Sequence, residues 1–253
     1  MKIIFIISLS ILFHLHINAQ KGKVIYDQTQ KMNIQVEGLD DHIKNVLPSM
    51  SETTKELSYD QSVSLYQDIT EEKLHEFTSD HDHMGNGAMV QVKTRASQER
   101  TYFDHSENIR IDQKEIMGKL FLIETDVEKP KWKMLNEQKD ILGYACMKAG
   151  AQKNDSVYIE AWFTPQIQVF AGPEEFFGLP GLILEINEND GEKVIKARKI
   201  DLESEVIITK PEKGDKVSQE KFNKIREQKI KEMEEMYNLK SKNGNGVFII
   251  RQG

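Results

Sequence analysis

Four metal-ligating side chains stand together in "SDHDHMGNG": His81, Asp82, His83 and Met84. Imidazole with thioether suits copper, and imidazole with carboxylate suits zinc. A tetrahedral site wants a further fixed ligand, which the loop-forming Gly85, Asn86 and Gly87 do not supply. Copper or zinc handling is therefore an alternative, not the main expectation. Glu160 and Glu185 are strand acids among apolar neighbours. A glycan- or peptide-directed hydrolase would need two such carboxylates close together at a cleft, a separation that sequence spacing does not fix. Cys146 is the one cysteine, so no internal disulfide forms and a buried thiol is expected. Metalloprotease, nucleophile-elbow, phosphate-loop and dinucleotide signatures are all absent, which favours a non-catalytic protein.

A second constellation is apolar. In "EEFFGLPGLILEI", Phe176, Phe177, Leu179, Leu182 and Ile183 crowd around Gly178, Pro180 and Gly181. Pro180 followed by Gly181 predicts a type II turn, with Gly181 supplying positive φ. Turn tips are ordinarily polar because their backbone needs water. This one must press inward as a plug, or form the lip of a site for a hydrophobic ligand or a partner's apolar segment. In "SVYIEAWFT", alternation puts Val157, Ile159, Ala161 and Phe163 on one face and Tyr158, Glu160 and Trp162 on the other. Tyr158 and Trp162 are then either an aromatic row for a ligand or cross-strand packing.

These residues need a scaffold, and the chain reads as mainly β (an α+β chain). Short runs such as "VIYDQTQKMNIQV", "LSYDQSVSL", "RTYFD", "NIRID", "KLFLIE", "GYACMKA", "KVIKARKI" and "EVIIT" alternate or carry β-formers, with short polar connections. Short connections imply antiparallel pairing, so an antiparallel meander curled into an open barrel or bowl is expected. A short helix is expected near Asp41–Leu47. A long C-terminal helix over about 218–238 starts at a Ser218 cap, and its stripe of Phe222, Ile225, Lys229, Met233 and Met236 or Tyr237 should lie across the sheet or its open edge.

Met1–Ala19 reads as a signal peptide, with Lys2 before an apolar core, leaving residues 20–253 as a single β-rich domain in the periplasm or outside the cell. The net charge of -7 argues against nucleic acid and anionic lipid. No later apolar run is long enough to span a membrane.

"ILGYACMKA", "IEAWFTPQI" and "AGPEEFFGLPGLILEI" follow one another closely. Together they resemble the GLPGLI family of exported Bacteroidetes proteins; Phe163 and Gln168 stand where that pattern more often has Tyr and Pro. The resemblance implies export and a common domain but no reaction. The expected function is an exported, non-catalytic protein binding a hydrophobic ligand or an envelope protein, with candidate contacts Tyr158, Trp162, Phe176, Phe177, Gly178, Leu179, Pro180, Gly181 and Leu182.

Overall fold

The computed structural model describes residues 21–32, 49–71, 73–78, 89–94, 96–127, 129–241 and 248–252. The leader expected at Met1–Ala19, the helix expected at Asp41–Leu47 and the His81–Met84 cluster lie outside the described residues.

The strands are β1 (Gly22–Lys31), β2 (Met50–Tyr59), β3 (Val63–Asp68), β4 (Lys73–Thr78), β5 (Met89–Thr94), β6 (Arg100–Asp104), β7 (Ile109–Ile116) and β8 (Lys119–Asp126). They continue with β9 (Lys133–Ile141), β10 (Tyr144–Asn154), β11 (Val157–Thr164), β12 (Leu182–Glu188), β13 (Lys193–Asp201) and β14 (Asp215–Lys216). Helix α1 (Gln219–Ser241) and β15 (Phe248–Gln252) complete them. Twelve strands form one sheet in the order β14-β8-β7-β6-β3-β2-β1-β13-β12-β11-β10-β9, and β15-β5-β4 form a small second sheet. The large sheet is not closed: β14 and β9 are its edges.

Antiparallel pairing dominates, as the short connections require, but the path is not one meander. The first strand lies mid-sheet, with β2 on one side and β13 on the other, so a β9–β13 meander is sewn to an earlier one along β1. β14 joins β8 in parallel, and β15 joins β5 in parallel. "LSYDQSVSL" is two strands. The Asp60 carboxylate accepts the N–H groups of Ser62 and Val63 at 2.7 and 2.8 Å, closing a turn where alternation alone runs on. "EVIIT" forms no strand; Ile207 is exposed, while Ile208 packs on the Leu65, Tyr102, Ile111 and Leu122 cluster.

Helix α1 starts where its cap predicts. Ser218 Oγ accepts the Lys221 N–H at 3.2 Å, and Phe222 is buried with its ring edge-on to Phe121, centroids 5.7 Å apart. Of the two placements expected, the open edge of the sheet is the one observed. The helix packs against β8 through Phe222 and Ile225, and Ile230 is exposed, because β8 is nearly the edge strand and little sheet lies beyond it. Among the described residues no helix is long and apolar enough to cross a membrane.

The main core draws Val24 and Tyr26 from β1, Leu57 and Tyr59 from β2, and Ile159, Ala161 and Phe163 from β11. Leu182, Ile183, Leu184 and Ile186 of β12 join them, together with the long connection between β11 and β12.

Candidate functional site

Residues 165–181 link β11 to β12 and pack against the sheet's core side chains. Ile167, Val169, Ala171, Phe176, Phe177, Leu179, Leu182 and Ile183 are all buried, Leu179 to 2%. The apolar turn is therefore a plug. Its backbone is satisfied internally, as a buried loop demands: Gly178 N–H donates to Phe170 O at 3.0 Å and Ile183 N–H to Ala171 O at 3.1 Å. The expected type II turn is replaced by a tighter one. Gly181 N–H donates to Leu179 O at 2.8 Å around Pro180, a γ-type closure. Leu182 N–H is taken instead by Ile167 O at 3.0 Å, so the four-residue bond is not made. Gly181 has φ of 152°, and a Cβ there would collide with Thr164 O and lie 2.6 Å from its carbonyl carbon. Only glycine lets the two backbones approach so closely.

Polar groups fasten the plug. Tyr26 Oη donates to Ile183 O at 2.6 Å in the core, and Trp132 Nε1 donates to Phe177 O at 2.9 Å. Lys193 pairs with Glu174, while Lys153 pairs with Glu175 at 2.7 Å and Glu188 at 3.3 Å. Burial works against the charge on Lys153, yet these carboxylates hold its ammonium above the usual lysine range. Phe177 reaches Phe103 of β6, ring centroids 5.1 Å apart, and His105, 5.9 Å away. None of these polar partners was expected from the sequence. The one signal was the pair of acids, Glu174 and Glu175, directly before a run that ends up buried.

The opposite face of β11 carries the remaining candidates, as the alternation predicts. Lys148 on β10 and Glu185 on β12 stand directly opposite Trp162. Lys139 Nζ lies 4.2 Å from the indole centroid and 2.7 Å from Glu185 Oε1. Lys148 Nζ lies 5.5 Å from the same ring, 2.8 Å from Glu160 and 3.2 Å from Glu137. Its hydrogen bond to Glu160 is the main reason its ammonium is held above the usual range. Trp162 is thus only 8% exposed, covered by two lysines in cation–π geometry. Tyr158 is 43% exposed, so the two aromatics are not an open row.

Glu160 pairs with Asn187 and Trp162 with Glu185, making Glu160 and Glu185 diagonal neighbours on adjacent strands. Such neighbours have Cβ atoms about 7–8 Å apart or somewhat less. The structure thus puts Glu160, Glu185, Trp162 and Tyr158 on one face of the strands, with Trp162 buried in the same apolar cluster as the plug residues Phe176 and Leu179. Cys146 is buried as expected, donates to Tyr144 O at 3.3 Å, and has its thiol pushed up to about 11 by burial. Among the described residues no group of His, Cys, Asp and Glu is placed to hold a metal ion.

The family described as N-glycanase peptide, N-terminal domain, matches residues 57–225, from the end of β2 into the first turns of α1. The chain belongs to this family. The matched span of the N-glycanase N-terminal domain contains both the plug and the Trp162 face. Two crystal forms of PNGF-II share its fold. The C2 form has a TM-score of 0.51 at 14% identity, covering 81% of this chain and 32% of that one. The P21 form has a TM-score of 0.50 at 15% identity, covering 82% and 33%. The chain therefore spans about a third of the length of the PNGF-II chains. No curated protein matches its sequence. Membership of an N-glycanase domain family overturns the expected non-catalytic protein for a hydrophobic ligand or envelope partner. Phe176, Phe177, Leu179 and Leu182 are sealed, while Phe170 of the same connection is 59% exposed.

Proposed function

We propose that the chain is directed at glycans and works in their hydrolysis, with the Trp162 face as its working surface. The family match over residues 57–225 is the observation that carries this reading. The chemistry of the face supports it. Glu160 and Glu185 are diagonal carboxylates on rigid strands, and an inverting hydrolysis needs two carboxyl groups about 6.5–9.5 Å apart. Lys139, Lys148 and Glu137 add donors and acceptors suited to sugar hydroxyls. In this reading the large sheet curls into an open bowl. The contact from the plug's Phe177 to β6 supports that shape, since β3, β2, β1 and β13 lie between β6 and β12 in the sheet. The plug fills the inside of the bowl, and the Trp162 face is its outer wall.

The test is to incubate the purified chain with an N-glycosylated protein and with its free glycans, and to follow released sugar by mass spectrometry. Release that disappears in the Glu160→Gln, Glu185→Gln double variant is the expected result. If the wild-type chain releases nothing from either substrate, the hydrolytic reading falls. Release that survives the double substitution removes these two carboxylates from the reaction.

A further inference from the structure

The most accessible aromatic on the outer wall is Tyr158, and its posture has a specific cause. Gly150 on β10 faces Glu160 across the β10–β11 ladder, so Tyr158 is its diagonal neighbour. A Cβ at position 150 would collide with Tyr158 Oη and lie 2.9 Å from Cζ. The phenol therefore leans along the sheet with its hydroxyl end over the glycine, where nothing larger than hydrogen fits. Leu135 of β9 closes one side, its Cδ1 3.5 Å from the same point. The strand backbone fixes the ring's base: Tyr158 N–H donates to Asn189 Oδ1 at 2.9 Å, and Asn189 N–H donates to Tyr158 O at 3.0 Å.

Along the same face as this partly exposed ring stand groups that offer hydrogen bonds of both kinds. Glu160 lies next along the face and is bound to Lys148, which also holds Glu137. Lys133 is opposite Gly150 on β9. A ring leaning along the sheet and 43% exposed offers apolar area about the size of one sugar ring, and the ion pairs farther along the same face supply acceptors and donors. A lipid would need a continuous apolar patch, which these ion pairs interrupt.

We infer that Tyr158, lying over Gly150 and rimmed by Glu160, Lys148 and Glu137, is a stacking subsite for one sugar ring of a glycan. This rests on the glycan-directed reading above and adds to it a subsite separate from the covered Trp162. Carbohydrate could reach the subsite as free glycan or as glycan on a protein, so both are tested.

Binding is measured by calorimetry with a free high-mannose N-glycan, with an intact N-glycoprotein and with the same protein stripped of its glycans. Tyr158→Ala is expected to weaken binding of the first two at least about tenfold, as loss of an anchoring tyrosine does. Tyr158→Phe should bind within about twofold of wild type, because the ring face is kept. Gly150→Ala should weaken binding as Tyr158→Ala does, by forcing the ring off the sheet, while thermal melting checks that each variant is folded. Equal binding by wild type and Tyr158→Ala, or equal binding to the stripped protein, overturns the subsite. If wild type still releases sugar in that case, the hydrolytic reading stands without it. A wild-type chain that neither binds glycan nor releases it brings down both.

Discussion

Single positions in this protein are decided by what their backbone touches. Gly181 and Gly143 both have positive φ, 152° and 82°, but their surroundings differ completely. A Cβ at Gly143 would meet nothing within 4 Å, whereas one at Gly181 runs into the Thr164 carbonyl. Gly143→Ala should therefore cost only the left-handed penalty, about 1–2 kcal/mol. Gly181→Ala should cost clearly more, about 2–4 kcal/mol, because the chain must also move off Thr164. Urea midpoints at unchanged slope read the difference, and equal losses would show that the close approach does not matter. His105 is the second such position. Its ring stacks on Phe103 with centroids 5.7 Å apart, contacts Ser64 Oγ at 3.3 Å, and burial holds its pKa below the usual histidine value. Asp104 and Asp60 pull it back up, and Lys129 adds to the lowering. The unfolded chain then binds the proton more tightly than the folded one. The neutral ring's contribution is complete above about pH 6.5 and is lost as pH falls below it. Melting temperature should drop between pH 7.5 and 5.5 in wild type and flatten in His105→Phe. An unchanged slope in that variant would take His105 out of the account.

At the level of elements, legibility in the sequence follows how one-sided each element is. β11 alternates cleanly because Ile159, Ala161 and Phe163 are core while Tyr158, Glu160 and Trp162 lie on the other face, so both faces were readable. The plug was readable as inward-packed for a similar reason: a turn so apolar has nowhere else to go. Strands with polar residues on both faces left no such trace. The start of β2, "SETTKE", is an example, and "LSYDQSVSL" hid a turn because Asp60 interrupts no hydrophobic period. The helix stripe showed which side is apolar and left two placements, across the sheet or at its open edge; the edge was taken, because periodicity does not record how much sheet lies beneath. The candidate site was half legible. Trp162 and Glu185 stand out in sequence, but Lys139 and Lys148 become their partners only through β9–β10 and β10–β11 pairing. A surface lysine carries no sequence mark of the ring it will cover. Asp68 makes the same point inside the fold. Its side chain is fully buried and gathers Lys55 Nζ at 2.8 Å, Ser97 N–H and Oγ at 3.1 Å, and Thr70, joining segments that sequence leaves unrelated.

Across the whole molecule, the question is what makes a wide open sheet unfold as one body. The β1–β13 seam joins residues far apart in the chain, an arrangement that forms slowly and late. The seam alone would leave two meanders sharing one ladder. The plug supplies the second link. Phe177, anchored through its carbonyl to Trp132, reaches over to Phe103 on β6 and His105 just after it, tying the β9–β13 half to the other. Both tryptophans, Trp132 and Trp162, report on the β9–β13 half, whereas far-ultraviolet circular dichroism reports on all strands. In the wild type the two signals should lose structure at one denaturant midpoint, as a cooperative transition requires. Phe177→Ala removes a buried aromatic, a change that costs about 3–5 kcal/mol in a well-packed core. If the ring is the tie between the halves, that loss should also split the transition, with the fluorescence midpoint separating from the dichroism midpoint. A variant whose two midpoints simply move down together would show that the β1–β13 seam couples the halves unaided, and that the plug fills the core without holding the sheet as one unit.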